Sequence, residues 1–320
     1  MKLVSVVVPC YNEERSVQAV YDRVRKVFHD ALPDYSYELI YVDDYSQDQT
    51  RSLIEEICQK DKQVKAIFNV RNFGFHRNVF SSLQYASGDA AFLMFGDLQD
   101  PPELLPEFIK SWEAGHKVIA GQKKGSEEVI LMQLFRKLYY FIIDAFAVRK
   151  QIEMFNGYGL YDREFLEILK EIDELQPYFK EIVAEYGMEL DIIRYHQDKS
   201  ARGKSNFNFF KNYDFAMQGI TSSTKMLMRL ATFVGAGTGI LSLLISVYVF
   251  INKLLNWNDY PIGTASIITG IFFIGAIQLF FIGILGEYIL SINERIAKKP
   301  RVIIGRRINF NSDDEEREEE

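Results

Sequence analysis

The first hydrophobic run of the chain, Val4-Ser5-Val6-Val7-Val8, is short and β-branched, the pattern of a buried strand, and Pro9 stops it. A helical pattern follows from Glu14 to about His29. Tyr37 to Asp43 reads as a second strand and Thr50 to about Lys60 as a second helix; Val64 to Asn69 and Asn78 to Ala86 repeat the pair. Ala90 to Phe95 and Lys117 to Gly121 are further strands, with helical Glu103 to Glu113 between them. Alternating strands and helices predict an α/β domain built on a mainly parallel, doubly wound sheet with helices on both faces. Ligands of such sheets bind beyond the carboxyl ends of the strands, so the residues just after each strand become the candidates for chemistry. The segment Glu164 to Ile193 has mixed charge, reads as ordinary surface helix, and is assigned no chemistry.

The hydropathy changes after Arg229. Leu230 to Asn252 is 23 residues without a charge, and Tyr260 to Gly286 is 27 more. Roughly 20 residues at about 1.5 Å each cross the hydrocarbon core of a bilayer, so both stretches predict transmembrane helices. Lys225 and Arg229 precede the first; Arg295, Lys298, Lys299, Arg301, Arg306 and Arg307 follow the second, while the connector holds only Lys253 and Asp259. The positive-inside rule then puts the soluble domain and both termini in the cytoplasm. Phe207 to Lys225 mixes aromatic and charged residues, as either an amphipathic helix in the headgroup plane or a helix packed on the soluble domain. Lys123-Lys124-Gly125 and Arg136-Lys137, around an apolar helix from Leu131 to Ala147, suggest another membrane-facing element. The expected organisation is a soluble domain over 1–204, a juxtamembrane helix over 205–228, two spans within 229–290, and a C-terminal segment over 291–320.

Charge changes this picture little. The net charge of -7 argues against nucleic acid as a partner, and the last eight residues, Asp313 to Glu320, carry seven acids and one Arg, a solvated tail. Cys10 and Cys58 are too few for a disulfide framework and fit a reducing compartment.

Candidate chemistry lies at the strand ends. Pro9-Cys10-Tyr11-Asn12-Glu13-Glu14 follows the first strand, Asp43-Asp44-Tyr45-Ser46-Gln47-Asp48 the second, and Gly96-Asp97-Leu98-Gln99-Asp100 the fourth. Carboxylates beside an amide oxygen suit a hard cation such as Mg2+ or Mn2+, which keeps waters and binds substrate phosphates. Asp48 and Asp100 serve equally well as caps of the helices that follow.

VVVPCYNEE, YVDDYSQDQT, NVRNFGFHRN, ASGDAAFLMFGDLQDPPELLPEFI and RGKSNF, followed by two apolar spans, together resemble the family 2 glycosyltransferases, in order and over nearly the whole chain to about Phe310. Within that family the chain is most similar to the polyisoprenyl-phosphate glycosyltransferases. The resemblance implies a GT-A fold, a nucleotide-sugar donor (UDP-linked in the bacterial branch), a polyisoprenyl (undecaprenyl) phosphate acceptor, Mg2+ or Mn2+, inversion at the anomeric carbon, and association into a homotetramer in the bacterial inner membrane. Carried over by position, it implies that Pro9, Tyr11 and Glu13 hold the base and ribose. Asp43 and Asp44 match the aspartates that hydrogen-bond the base, and Arg71 lies beside the nucleotide. Asp97 and Gln99 match the metal ligands, and Arg202, with Lys204, the cation that meets the phosphates. Anionic lipid headgroups are the alternative ligands of Arg202 and Lys204.

The chain departs from the family pattern at three places. Phe95 stands where an aspartate commonly precedes the metal-binding one, and Asn156-Gly157-Tyr158-Gly159-Leu160 replaces a segment that often carries an acid and an arginine. Tyr45 takes the place of a common glycine. These departures keep two other readings open, a transferase with a different acceptor and a non-catalytic relative that binds nucleotide or lipid as a scaffold.

Overall fold

The computed structural model describes residues 1–124, 154–174, 177–197 and 300–310, with residue 152 and isolated helical positions between 237 and 292. Eight strands form one sheet in the order β7-β5-β6-β4-β1-β2-β3-β8. They are β1 Lys2–Cys10, β2 Tyr35–Asp43, β3 Val64–Asn69, β4 Ala90–Leu93, β5 Val118–Lys123, β6 Phe155–Asp162, β7 Leu190–Tyr195 and β8 Ile304–Ile308. Strands β1 to β4 are mutually parallel, as are β5 and β7, whereas β6 and β8 run antiparallel to their neighbours. The expected α/β, GT-A-like sheet is therefore present, mainly parallel with two reversed strands.

The central strands are apolar on both faces because helices cover both. One layer is α1 Val17–Ala31, α2 Thr50–Lys60 and α4 Leu105–Glu113. Helix α1 buries Val17, Val20, Val24, Val27 and Phe28, a stripe at helical spacing, against Val4, Val6, Val8, Leu39 and Tyr41 of β1 and β2. The other layer is α3 Phe75–Gln84, α5 Arg163–Glu171 and α6 Phe179–Tyr186, which pack Val79, Phe80, Phe165, Leu166 and Phe179 against Val7, Ile40, Ile67 and Leu93. Asp162 starts α5, its carboxylate accepting from Glu164 N at 2.9 Å.

Three differences from the sequence reading have physical causes. Strand β1 continues through Pro9 to Cys10, because extended backbone suits proline and both residues are paired in register with Val42 and Asp43. The region 164–193 is not one surface helix: α5 and α6 bury apolar faces, and the chain then enters the sheet as β7 beside β5. Its mixed charge, with Tyr195 the only fully buried residue of β7, masked an edge strand. Finally, β8 adds an antiparallel strand to β3, and Val70 N donates to Ile303 O at 3.0 Å. The Asn309 side chain donates to Cys58 O and Val64 O at 2.8 Å each, and Arg306 pairs with Glu55 at 2.9 Å.

Among the described residues no helix is long and apolar enough to cross a membrane. The juxtamembrane segment 205–228 and most of the two expected spans lie outside the described residues, as do Arg202, Lys204, Arg136 and Lys137. Both cysteines are buried.

Candidate active site

The four parallel strands β1 to β4 end at Cys10, Asp43, Asn69 and Leu93, so the loops 11–14, 44–49, 70–74 and 94–101 leave the same edge of the sheet. This gathers Tyr11, Glu13, Asp44, Arg71, Asp97 and Gln99 at one edge, while Pro9 is buried within β1 and Asp43 ends β2.

The first two loops are tied together. Asp44 N donates to Cys10 O at 3.0 Å, Asn12 N to Ser46 Oγ at 2.8 Å, and Gln47 N to Asn12 Oδ1 at 2.8 Å. Glu13 N donates to Thr50 Oγ1 at 2.7 Å, and Asp48 accepts from Glu14 N and Thr50 N. Asp48 is thus bound to backbone just before α2, whose N-cap residue is Gln49. Glu13 is buried, accepts from Ser16 Oγ at 3.2 Å, and lies under the next loop: a Cβ added to Gly96 would sit 3.1 Å from Glu13 Cγ.

The paired aspartates face different partners. Asp43 is fully buried, accepts from Ser46 N at 3.1 Å and pairs with Arg51 Nε at 3.3 Å; burial raises its carboxyl above the ordinary range despite these partners. Asp44 accepts from Asn69 Nδ2 at 3.0 Å, Phe73 N at 2.9 Å and Gly74 N at 2.9 Å. Its carboxylate therefore anchors the loop that carries Arg71, and three of about four acceptor positions are occupied. Gly74, at φ 93, turns that loop into α3. Arg71 is exposed, with its guanidinium carbon 4.7 Å from the centre of the Phe73 ring.

Asp97 and Gln99 lie half-buried in the loop after β4, where Asp97 Oδ1 accepts from Gln99 N at 3.2 Å and Leu98 adopts φ 58. Asp100 points inward. It is 1% exposed and accepts from Tyr195 Oη and from Asn156 Nδ2 (2.9 Å). Burial raises the Asp100 carboxyl, against the downward pull of Lys123 and these donors. Asp100 therefore joins the acidic loop to β6 and β7 instead of capping a helix. Lys123, read from sequence as part of a membrane-facing element, is half-buried at the end of β5, and burial lowers its ammonium against the opposing charges of Asp100 and Asp97.

Asn156 and Tyr158, noted in the sequence only as part of a departing segment, and Tyr195, which sequence reasoning missed, hold the acidic loop from behind: Tyr158 Oη donates to Pro101 O at 2.7 Å. Their partners are distant in the chain, and no local pattern marks them. The departures at 95 and 157 form one apolar wall. Phe95 packs on Phe75 with ring centres 5.3 Å apart. Gly157 adopts φ 111, and a Cβ there would meet the Phe179 ring at 3.3 Å and Leu93 at 3.5 Å. Behind this wall, Lys180 is pushed down to about 8 by burial and the charge of Lys123, and His76 to about 4 by burial and the charge of Lys180.

Asp97 and Gln99, half-buried at a strand end, carry oxygen donors that would suit a hard divalent cation; in this structure Gln99 Oε1 accepts from Gln197 Nε2 at 3.2 Å. Among the described residues no group of three or more His, Cys, Asp and Glu side chains forms a metal cage by itself.

Residues 5–187 match the family model described as glycosyl transferase family 2. A prophage-derived bactoprenol glucosyl transferase of Shigella flexneri is 33% identical over 302 residues, covering 94% of this chain and 97% of the relative. A prophage bactoprenol glucosyl transferase homologue of Escherichia coli K12 is 30% identical, covering 95% and 98%. In three dimensions, glucosyl-3-phosphoglycerate synthase from Mycobacterium tuberculosis, solved with Mn2+, UDP-glucose and phosphoglyceric acid, matches with a TM-score of 0.50 at 19% identity. It covers 69% of this chain and 78% of that one, a likeness of fold. With these matches spanning the sheet and its strand-end loops, the chain belongs to glycosyltransferase family 2, in its polyisoprenyl-phosphate branch, and is a glycosyltransferase.

Proposed function

We propose that the protein transfers a sugar from a nucleotide sugar, UDP-linked, to a polyisoprenyl phosphate of the undecaprenyl type at the cytoplasmic face of a bacterial membrane. The observation that carries this reading is the gathering of the strand-end loops at one sheet edge, with Asp97 and Gln99 in the loop after β4. The names of the relatives supply the acceptor class. The base and ribose lie along Pro9, Tyr11 and Glu13, beside Asp43, Asp44 and the loop carrying Arg71. Asp97 and Gln99 would hold Mg2+ or Mn2+, which when bound neutralises charge developing on the departing diphosphate. Arg202 and Lys204 are the cations assigned to the phosphates, a task that suits a guanidinium because its planar fork can donate two parallel hydrogen bonds.

The acceptor phosphate monoester is largely ionised near pH 7, given a second pKa of about 6, so the nucleophile needs no general base. The protein's tasks are then positioning and charge stabilisation, and the loss of carboxylates at 95 and 157 leaves both intact. A single displacement by the phosphate oxyanion inverts the anomeric centre. Residues 230–252 and 260–286 anchor the enzyme as two spans; at Leu244, Ile251, Leu255, Ile267 and Ile282 the backbone is helical and the apolar side chains are exposed, which supports lipid contact. Association into a tetramer belongs to the same reading.

The test is transfer from a panel of radiolabelled nucleotide sugars to undecaprenyl phosphate in membranes carrying the wild type or Asp97→Ala, with Mg2+ or Mn2+. Metal-dependent label in the lipid phase that vanishes in the variant supports the reading and names the sugar. Nucleotide binding without lipid labelling points instead to another acceptor or to a scaffold, for which Phe95 and Gly157 are the structural motive.

A further inference from the structure

Tyr45 is the strand-end side chain that the reaction above does not use. It follows Asp43 and Asp44 directly and adopts φ 67, a left-handed conformation that is strained for an aromatic residue. Burial does not account for that strain, since the residue is 39% exposed.

The ring is nevertheless held firmly. The Arg51 guanidinium carbon lies 5.5 Å from the centre of the Tyr45 ring and 5.0 Å from that of Phe68. Arg51 Nε is also fixed to the buried Asp43 carboxylate at 3.3 Å. A cation wedged between two rings and tied to a carboxylate backs Tyr45 and leaves the remaining ring surface to solvent.

A second exposed ring stands next to it in the sheet. Cys10 is in register with Asp43 on adjacent parallel strands, so Tyr11, 38% exposed, and Tyr45 leave neighbouring strand ends, whose spacing is about 4.8 Å. The hydrogen bonds from Asn12 N to Ser46 Oγ and from Gln47 N to Asn12 Oδ1 lock the two loops together. A strained, backed and exposed aromatic ring beside another is a preorganised surface for a flat π-system, because orienting it costs no further side-chain entropy on binding.

We propose that Tyr45 is a stacking platform for the nucleobase of the donor and so helps set nucleotide affinity. This inference rests on the reading that the site binds a nucleotide sugar. Its test is calorimetric titration of the detergent-solubilised full chain with UDP, GDP and inorganic pyrophosphate, each with Mn2+, for wild type, Tyr45→Asn and Tyr45→Phe. Asn is chosen because it accepts the left-handed backbone, so the loop can keep its path. Stacking predicts that Tyr45→Asn weakens the preferred nucleotide about ten-fold or more, keeps pyrophosphate affinity within about two-fold, and is rescued by Tyr45→Phe. Unchanged nucleotide affinity in Tyr45→Asn overturns the proposal. So does an equal loss of nucleotide and pyrophosphate, which would mark a loop-shaping role. A wild type that binds neither nucleotide overturns it together with the donor reading.

Discussion

Removing the Asp44 carboxylate separates two roles that sequence alone cannot tell apart. The side chain is buried and accepts hydrogen bonds from Asn69 Nδ2, Phe73 N and Gly74 N at 3.0, 2.9 and 2.9 Å. A hydrogen bond to a charged group contributes about 1.5–3 kcal/mol. Three at the lower end come to roughly 4–5 kcal/mol for Asp44→Ala, and less where the loop opens and water replaces the carboxylate. At about 2–4 °C per kcal/mol for a domain of this size, the expected drop in melting temperature is roughly 10 °C. Asp44→Asn keeps one oxygen but turns an amide donor toward the loop's own N–H groups, so it falls in between. Thermal unfolding in detergent, followed by tryptophan fluorescence, gives the stability; titration with UDP and Mn2+ gives the affinity. If Asp44 anchors the loop bearing Arg71, both quantities fall together. A variant that melts within about 2 °C of wild type would refute the anchoring role. If that variant also lost nucleotide affinity, the carboxylate would act on the ligand alone.

Other outcomes follow from the same geometry. Gly157→Asp, which restores the family's common acid, should lower stability by about 2–3 kcal/mol through the strained φ of 111 and the Phe179 ring at 3.3 Å, and should not raise transfer activity; a melt and a lipid-labelling assay check it. Asn309→Ala removes two 2.8 Å bonds that hold the C-terminal strand to Cys58 and Val64, and should cost about 1–3 kcal/mol in thermal unfolding. Burial would raise the Glu38 carboxyl, but Lys65 at 2.7 Å and Ser5 outweigh it and hold it below its ordinary value. Its stabilisation is therefore present above the unfolded carboxyl's pKa of about 4.3 and lost as pH falls through the lower folded value. Acid unfolding of wild type should show a steeper loss below about pH 5 than Glu38→Gln, and equal slopes would contradict it.

The parallel core was legible because its signals are local. The run from Val4 to Val8 declares a strand buried on both faces and the helical stripe from Val17 to Phe28 declares its packed face, and strand direction then sends Tyr11, Glu13, Asp97 and Gln99 to one edge. The paired aspartates were visible as candidates, but only the fold separates the arginine-paired Asp43 from the loop-anchoring Asp44, because their partners come from α2 and from residues 69–74. Strands β6, β7 and β8 escaped notice because they sit among mixed-charge or basic segments. They pair with distant strands; β8 reaches β3 from more than two hundred residues away. The same distance hid Asn156 and Tyr195 behind Asp100 and the apolar wall around Phe95 and Gly157. Periodicity by itself determined the alternating strands and helices of the parallel core and, through them, which edge carries the chemistry. Which carboxylates remain available there was decided only by tertiary contact, since a hydrogen bond between residues far apart in sequence exists only once the sheet has brought them together.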